Sequence, residues 1–144
     1  MTTSMSMPRP IEDSQDAIVP GSWTEHVGGH VRSTLRAEGL PLFIAGAAAY
    51  GALGGPWLAF IPLLLVPDAS AIGYLRGARL GAATYNLAHN LVTAGAVLGL
   101  GLWFGIGWLA LIGAILLAHI GMDRVAGYGL KYPTTFKDTH FQHV

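Results

Sequence analysis

Two long stretches of the chain contain no Asp, Glu, Lys or Arg: Gly39 to Pro67, and Leu80 to Met122, the second covering 43 residues. One helical crossing of a bilayer takes about 20 apolar residues. The second stretch is therefore long enough for two crossings, and the first for one and much of another. Soluble helices keep one face polar, so runs of this length argue for lipid rather than water as the surrounding solvent. Turn signals divide the runs at Gly54-Gly55-Pro56, at Arg76 to Arg79, and at the Gly-rich stretch Gly101 to Gly107. The pattern predicts four spans: Gly39–Gly54, Trp57–Tyr74, Leu80–Trp103 and Trp108–Arg124. The second span passes Pro62 and Pro67. Stopping at Pro67 leaves it too short to cross, and continuing to Tyr74 places Asp68 inside the membrane.

The flanks read differently. Residues 1–21 are rich in Pro, Ser, Thr and Met without periodicity and predict a disordered tail. In residues 22–36 a capping box at Ser22–Glu25 precedes Trp23, Val27, Val31 and Leu35 at steps of four, the pattern of an amphipathic helix lying in the interface. Residues 37–131 form the transmembrane domain of this reading, and 132–144 a cytoplasmic tail. Trp57, Trp103, Phe104 and Trp108 gather at the two turns of one side, where an aromatic belt belongs.

Charge orients the bundle. Four crossings put both termini on one side, and all eight Lys and Arg residues fall on that side or at its boundary. The opposite loops near Gly54 and Gly105 carry none, so the charged side is the cytoplasm. The expected fold class is thus an all-α polytopic membrane protein, a four-helix bundle with both termini cytoplasmic. The chain has no Cys, which excludes disulfides and thiolate metal sites, and its net charge of zero gives nucleic acid nothing to bind. Neither does the N-terminal stretch have the apolar core of a signal peptide. The bilayer is the expected partner. Small residues at four-residue steps, such as Gly73/Gly77/Gly81 and Gly95/Gly99, let helices approach closely within the bundle or in a homodimer.

Polar residues inside such a bundle are expensive, and they mark function by default. Asp68 lies in the second span. Tyr85, Asn86, His89, Asn90 and Thr93 share a face of the third, and His119 and Asp123 stand one turn apart in the fourth. At 1.5 Å per residue, Asp68 lies about 12 Å from Arg76, His89 about 15 Å from Arg79, and His119 about 8 Å from Arg124. Topology therefore brings the three to similar depth, in a pocket open to the cytoplasm. Two imidazoles and two carboxylates are a ligand set for zinc, iron or manganese. Asp68, His89, His119 and Asp123 are the expected ligands, with Asp123 alternatively orienting His119. A metal-activated water would then be the nucleophile, assisted by Tyr85 or a carboxylate. The same residues also suit a structural role, hydrogen-bonding neighbouring helices, or a proton or ion pathway. His140 and His143 at the end of the chain, and His26 and His30, are expected to be solvated, with His140 folding back over the pocket as the alternative.

Three blocks carry a resemblance: Pro67-Asp68-Ala69-Ser70-Ala71-Ile72-Gly73-Tyr74, Gly81 to His89 with Tyr85-Asn86, and His119-Ile120-Gly121-Met122-Asp123-Arg124 running on to Lys131. With the ending Phe136-Lys137-Asp138-Thr139-His140, the chain from about Leu35 to His140 resembles the bacterial "domain of unknown function 4260" family. Typical members continue Leu-Gly after the final Thr-His, where Phe141-Gln142 stand here. The resemblance implies a small multi-pass protein of the bacterial inner membrane and brings no activity with it. Its motif positions coincide with Asp68, Tyr85, Asn86, His89, His119, Asp123, Arg124 and Lys131. The leading expectation is a membrane-embedded, metal-dependent, hydrolase-like enzyme with a cytoplasm-facing site. In it Tyr85 and Asn86 act on or position the substrate, and Arg124 and Lys131 hold an anionic group. A transporter, an ion or proton pathway, or a structural membrane subunit is the alternative.

Overall fold

The computed structural model describes residues 22–143, with side chains from residue 29 onward. The tail expected over residues 1–21, and the side chains of the capping box at Ser22–Glu25, lie outside the described residues. The described residues fold into five α-helices: α1 (Ser22–Ala52), α2 (Trp57–Leu64), α3 (Ala78–Ala88), α4 (Leu91–Trp103) and α5 (Gly107–Ala126), with a 3-10 segment at Val66–Arg76 between α2 and α3. Among the described residues no strand forms, and the sole sheet-like pairing is an isolated antiparallel bridge between Lys131 and Thr139.

Helix α5 is the hub. Its small residues Ala110, Gly113, Ala114, Ala118 and Gly121 are all buried, and they let α1 and α4 approach from two sides. A Cβ at Gly46 of α1 would collide with the Ala118 backbone, and one at Gly121 with the Phe43 backbone. On the other side, a Cβ at Gly101 of α4 would meet Ala110, and one at Gly113 would meet Leu98. The antiparallel α1–α5 and α4–α5 pairs thus rest on glycines at the crossing points, the small-residue packing used in lipid. Gly95 and Gly99 have open space where a side chain would be, so this step of four makes no contact within the chain.

The α1–α2 turn is closed by Tyr50, which is almost wholly buried. Its hydroxyl donates to the Pro56 carbonyl at 3.1 Å, and its ring meets Trp57 edge-on. Gly54 and Gly105 take positive φ at the two uncharged turns, and Gly77 (φ 124°) makes the whole connection between the 3-10 segment and α3.

Three stretches differ from the expected spans. The segment read as an interfacial helix and the first span form one helix, α1, with Pro41 inside it. At 31 residues α1 is about 46 Å long, more than a hydrocarbon core requires. The second span breaks at Leu65 and the third at His89–Asn90. Two helices, Trp57–Arg76 and Gly107–Ala126, are long and apolar enough to cross a membrane, and Leu91–Trp103 is a shorter apolar helix.

Candidate metal centre

Each break is built by the local sequence, and each presents one polar side chain. Pro62 and Pro67 interrupt the second apolar run. Past α2 the chain tightens into 3-10 geometry, with the Asp68 amide bonding back to the Leu65 carbonyl. In that register the Leu64 carbonyl would accept from position 67, but proline has no N–H. The His119 Nδ1 takes the vacancy, donating to Leu64 at 2.6 Å. At the other break Asn90 caps α4, accepting from the Thr93 amide at 2.8 Å. Its amide nitrogen donates to the Asn86 carbonyl of α3 at 2.7 Å. His89 is left at the end of α3, with its Nδ1 donating to the Tyr85 carbonyl at 2.8 Å.

These two bonds fix the tautomers. A carbonyl only accepts, so Nδ1 carries a proton in both rings, and Nε2 keeps a lone pair wherever the ring is neutral. The two Nε2 atoms face one another at 2.9 Å. Asp68 Oδ1 lies 3.4 Å from His89 Nε2 and 3.6 Å from His119 Nε2. Asp123 Oδ2 lies 3.6 Å from His119 Nε2 and 3.8 Å from His89 Nε2. All four donor atoms fall within 4.8 Å of one another. A tetrahedron of N and O ligands at about 2.0–2.2 Å from zinc has edges of about 3.3–3.6 Å. The four His–Asp distances sit close to that range, with the His–His edge shorter. Without a cation or a shared proton between them, two buried Nε2 lone pairs and the Asp123 carboxylate would face one another away from water, an arrangement that burial penalises heavily.

The side chains of His119 and His89 are 0% and 3% exposed, and Asp123 is 13% exposed. Asp68 is 52% exposed. The donor set is therefore closed on three sides and open at one. Tyr85 donates to Asp123 Oδ2 at 3.1 Å and stacks on the His89 ring at 3.6 Å between centroids, so it holds two of the four side chains in place.

The remaining expected site residues have different surroundings. Asn86 accepts from the Lys131 amide at 2.7 Å and donates to the Lys131 carbonyl at 2.8 Å. It clamps the C-terminal segment across the site. Lys131 is buried, its Nζ donating to the Phe136 carbonyl at 2.8 Å and lying 4.4 Å from the centre of the Tyr85 ring. Burial lowers the Lys131 ammonium below the usual lysine value, against the opposing pull of Asp123 and Asp68. Arg124 lines a cavity of about 20 Å³ with His89, Asp123, Gly129 and His140.

His140 is not solvated as first expected but takes the alternative place, folded back beside the cluster. Its Nδ1 is buried without a hydrogen-bond partner, and its ring presses so closely on Gly129 that no Cβ would fit there. The cavity beside it has room for one water. The sequence signal was Gly129 itself, within a Gly-Tyr-Gly that lets the chain fold back after α5. His143 is exposed and pairs with Asp138 at 2.6 Å. Asp138 is held below the usual carboxylate range by the Thr134 hydroxyl first and by His143 second.

Comparison with known proteins adds one match. The model of a family described as Domain of unknown function (DUF4260) covers residues 32–144. No curated protein and no solved structure matches the chain.

Proposed function

The chain belongs to the domain-of-unknown-function 4260 family, and we propose that it holds a divalent transition-metal ion between Asp68, His89, His119 and Asp123, inside a membrane, as a hydrolase-like enzyme. The observation that carries the metal is the convergence of two neutral imidazoles whose Nδ1–H groups are turned away from the cluster. Both Nδ1 protons are committed to carbonyls, leaving two Nε2 lone pairs 2.9 Å apart between two carboxylates.

Support for the membrane comes from the surface. Among the described residues 25 large hydrophobics are exposed against 12 hydrophobics in the core, the reverse of a soluble domain, which rarely shows apolar patches of this extent. Leu58 is 97% exposed. The proposed topology is four crossings, through α1, α2 with the 3-10 segment, α3 with α4, and α5. The uncharged Gly54 and Gly105 turns lie outside and both termini lie in the cytoplasm of a bacterium, as the positive-inside rule directs.

Support for catalysis rather than a structural ion comes from Asp68. Structural zinc sites are closed, whereas catalytic ones keep a position for water or substrate, and the half-exposed Asp68 is the ligand that an incoming water or substrate would displace or join. A metal ion there supplies a Lewis acid and an activated water. Tyr85 orients Asp123, while Arg124 and Lys131 give the cytoplasmic end its positive charge. One observation favours a second reading, a pathway for an ion or proton: helices broken at the site are a feature of membrane transporters.

The test is metal content by mass spectrometry on protein purified without chelator or metal-binding tag, beside a His89→Ala/His119→Ala double variant. Near-stoichiometric metal in the parent, lost from a variant of unchanged helicity, is the expected result. Metal-free parent protein together with pH-dependent ion flux in liposomes would overturn the metal centre in favour of the pathway.

A further inference from the structure

A second cavity, of about 330 Å³, runs along α5 on the side of the metal centre away from the charged end. Its walls come from α1, α2 with the 3-10 segment, and α5, through Tyr50, Leu63, Val66, Pro67, Trp108 and Leu116 among others. Every lining residue is apolar or aromatic. The one hydroxyl among them, on Tyr50, already donates to Pro56. Buried water needs two to four polar partners, and this cavity offers none, so its natural content is hydrocarbon. The volume falls within the range of small-molecule sites, about 300–1,000 Å³.

Its position gives it meaning. On α5 it extends from Trp108 to Leu116, one turn short of His119. On the facing wall it ends at Pro67, whose neighbour is Asp68. The Leu64 carbonyl that holds the His119 ring stands beside this inner end. From Trp108 to His119 the helix rises about 16 Å. An amphiphile lying in this groove places its tail toward the uncharged turns and its polar head at the metal centre, with Arg124 and Lys131 beyond. That is the orientation of a lipid in the cytoplasmic leaflet under the topology proposed above.

We infer that this groove binds the hydrocarbon tail of a membrane lipid whose head is presented to the Asp68–His89–His119–Asp123 cluster, so that the substrate class is an amphiphilic lipid. The inference rests on the metal-centre reading for its head group and on the groove alone for its tail. Ordinary lipid wets every exposed apolar face of such a protein. This site differs in being concave, lined from three sides and ending beside Pro67 and Leu116, next to the polar cluster.

The experiment uses the full chain in nanodiscs doped with a phospholipid carrying a photoactivatable diazirine near the end of one tail. Adducts are mapped by peptide mass spectrometry, and metal content is read on the same samples. Adducts concentrated on 108–112, at the end of the groove where the tail terminates, are expected. Narrowing the groove in either of two variants, Ile112→Trp or Leu116→Phe, lowers them several-fold with metal content unchanged. Adducts spread along all exposed apolar faces, such as Leu58, Val92 and Leu102, and indifferent to both variants, would overturn the lipid site. Metal-loaded protein with that spread labelling removes the groove and leaves the metal centre standing. Groove labelling on metal-free protein removes the metal centre and leaves a lipid site.

Discussion

At the scale of single residues, the centre depends on a proline as much as on its histidines. Pro67 leaves the Leu64 carbonyl without a backbone donor, and the His119 Nδ1–H fills the gap. That bond fixes which nitrogen faces the cluster and which way the ring lies, as outer partners of metal-binding histidines commonly do. Pro67→Ala returns an N–H that competes for the same carbonyl. We expect metal affinity to fall about 10–100-fold, the usual effect of losing such a partner, with helicity retained; chelator competition measures it, and an unchanged affinity would refute the role given to Pro67. Tyr85 is a second such residue, since its hydroxyl meets Asp123 while its ring lies flat on His89. Much of this was legible in the chain. The i, i+4 spacing of His119 and Asp123, and equal depth along a hairpin, suffice to bring four polar side chains together. The tautomers were not legible, because they follow from backbone carbonyls whose availability appears only once the helix breaks are known.

At the scale of elements, glycine at helix crossings decides how close α1 and α4 come to α5. A Cβ at Gly46 meets the Ala118 backbone, which cannot swing aside as a flexible side chain would. Gly46→Ala should therefore cost about 1–3 kcal/mol, the usual penalty of overpacking, whereas Gly99→Ala, facing open space, should leave stability unchanged or slightly raised. Denaturant unfolding in detergent checks both, and equal effects would contradict the packing described. The breaks show where reading by pattern stops. Pro62 and Pro67 announce the first one, but between Leu80 and Trp103 there is no Pro, and the polar residues around His89–Asn90 fit a continuous helix face as well as a break. The break is stabilised by Asn90 bonding to both flanking helices. The fold-back of the C-terminal segment was legible only as an alternative at His140, for a related reason. It depends on Asn86 holding both backbone groups of Lys131, a pairing 45 residues apart that leaves no local trace.

At the scale of the molecule, the proposed topology can be checked directly because the chain has no cysteine of its own. Single cysteines placed at Gly54 and Gly105 should react with a membrane-impermeant maleimide added to intact cells, and one at Gly77 should react only after the membrane is opened. The reverse pattern would invert the orientation, and labelling of all three would refute burial in a membrane. The depth of the cluster has an electrical consequence. His119 stands seven residues before the end of α5 at Ala126, about 10 Å along the axis, or roughly a third of a hydrocarbon core about 30 Å thick. Under the proposed topology and metal site, a divalent cation entering from the cytoplasm would cross about a third of the transmembrane voltage, worth about 1.5 kcal/mol per 100 mV. In an energised cell, negative inside, this field pulls the ion back toward the cytoplasm. At limiting metal, depolarisation alone would then raise occupancy roughly tenfold per 100 mV, tying the state of this centre to the energy state of the membrane around it.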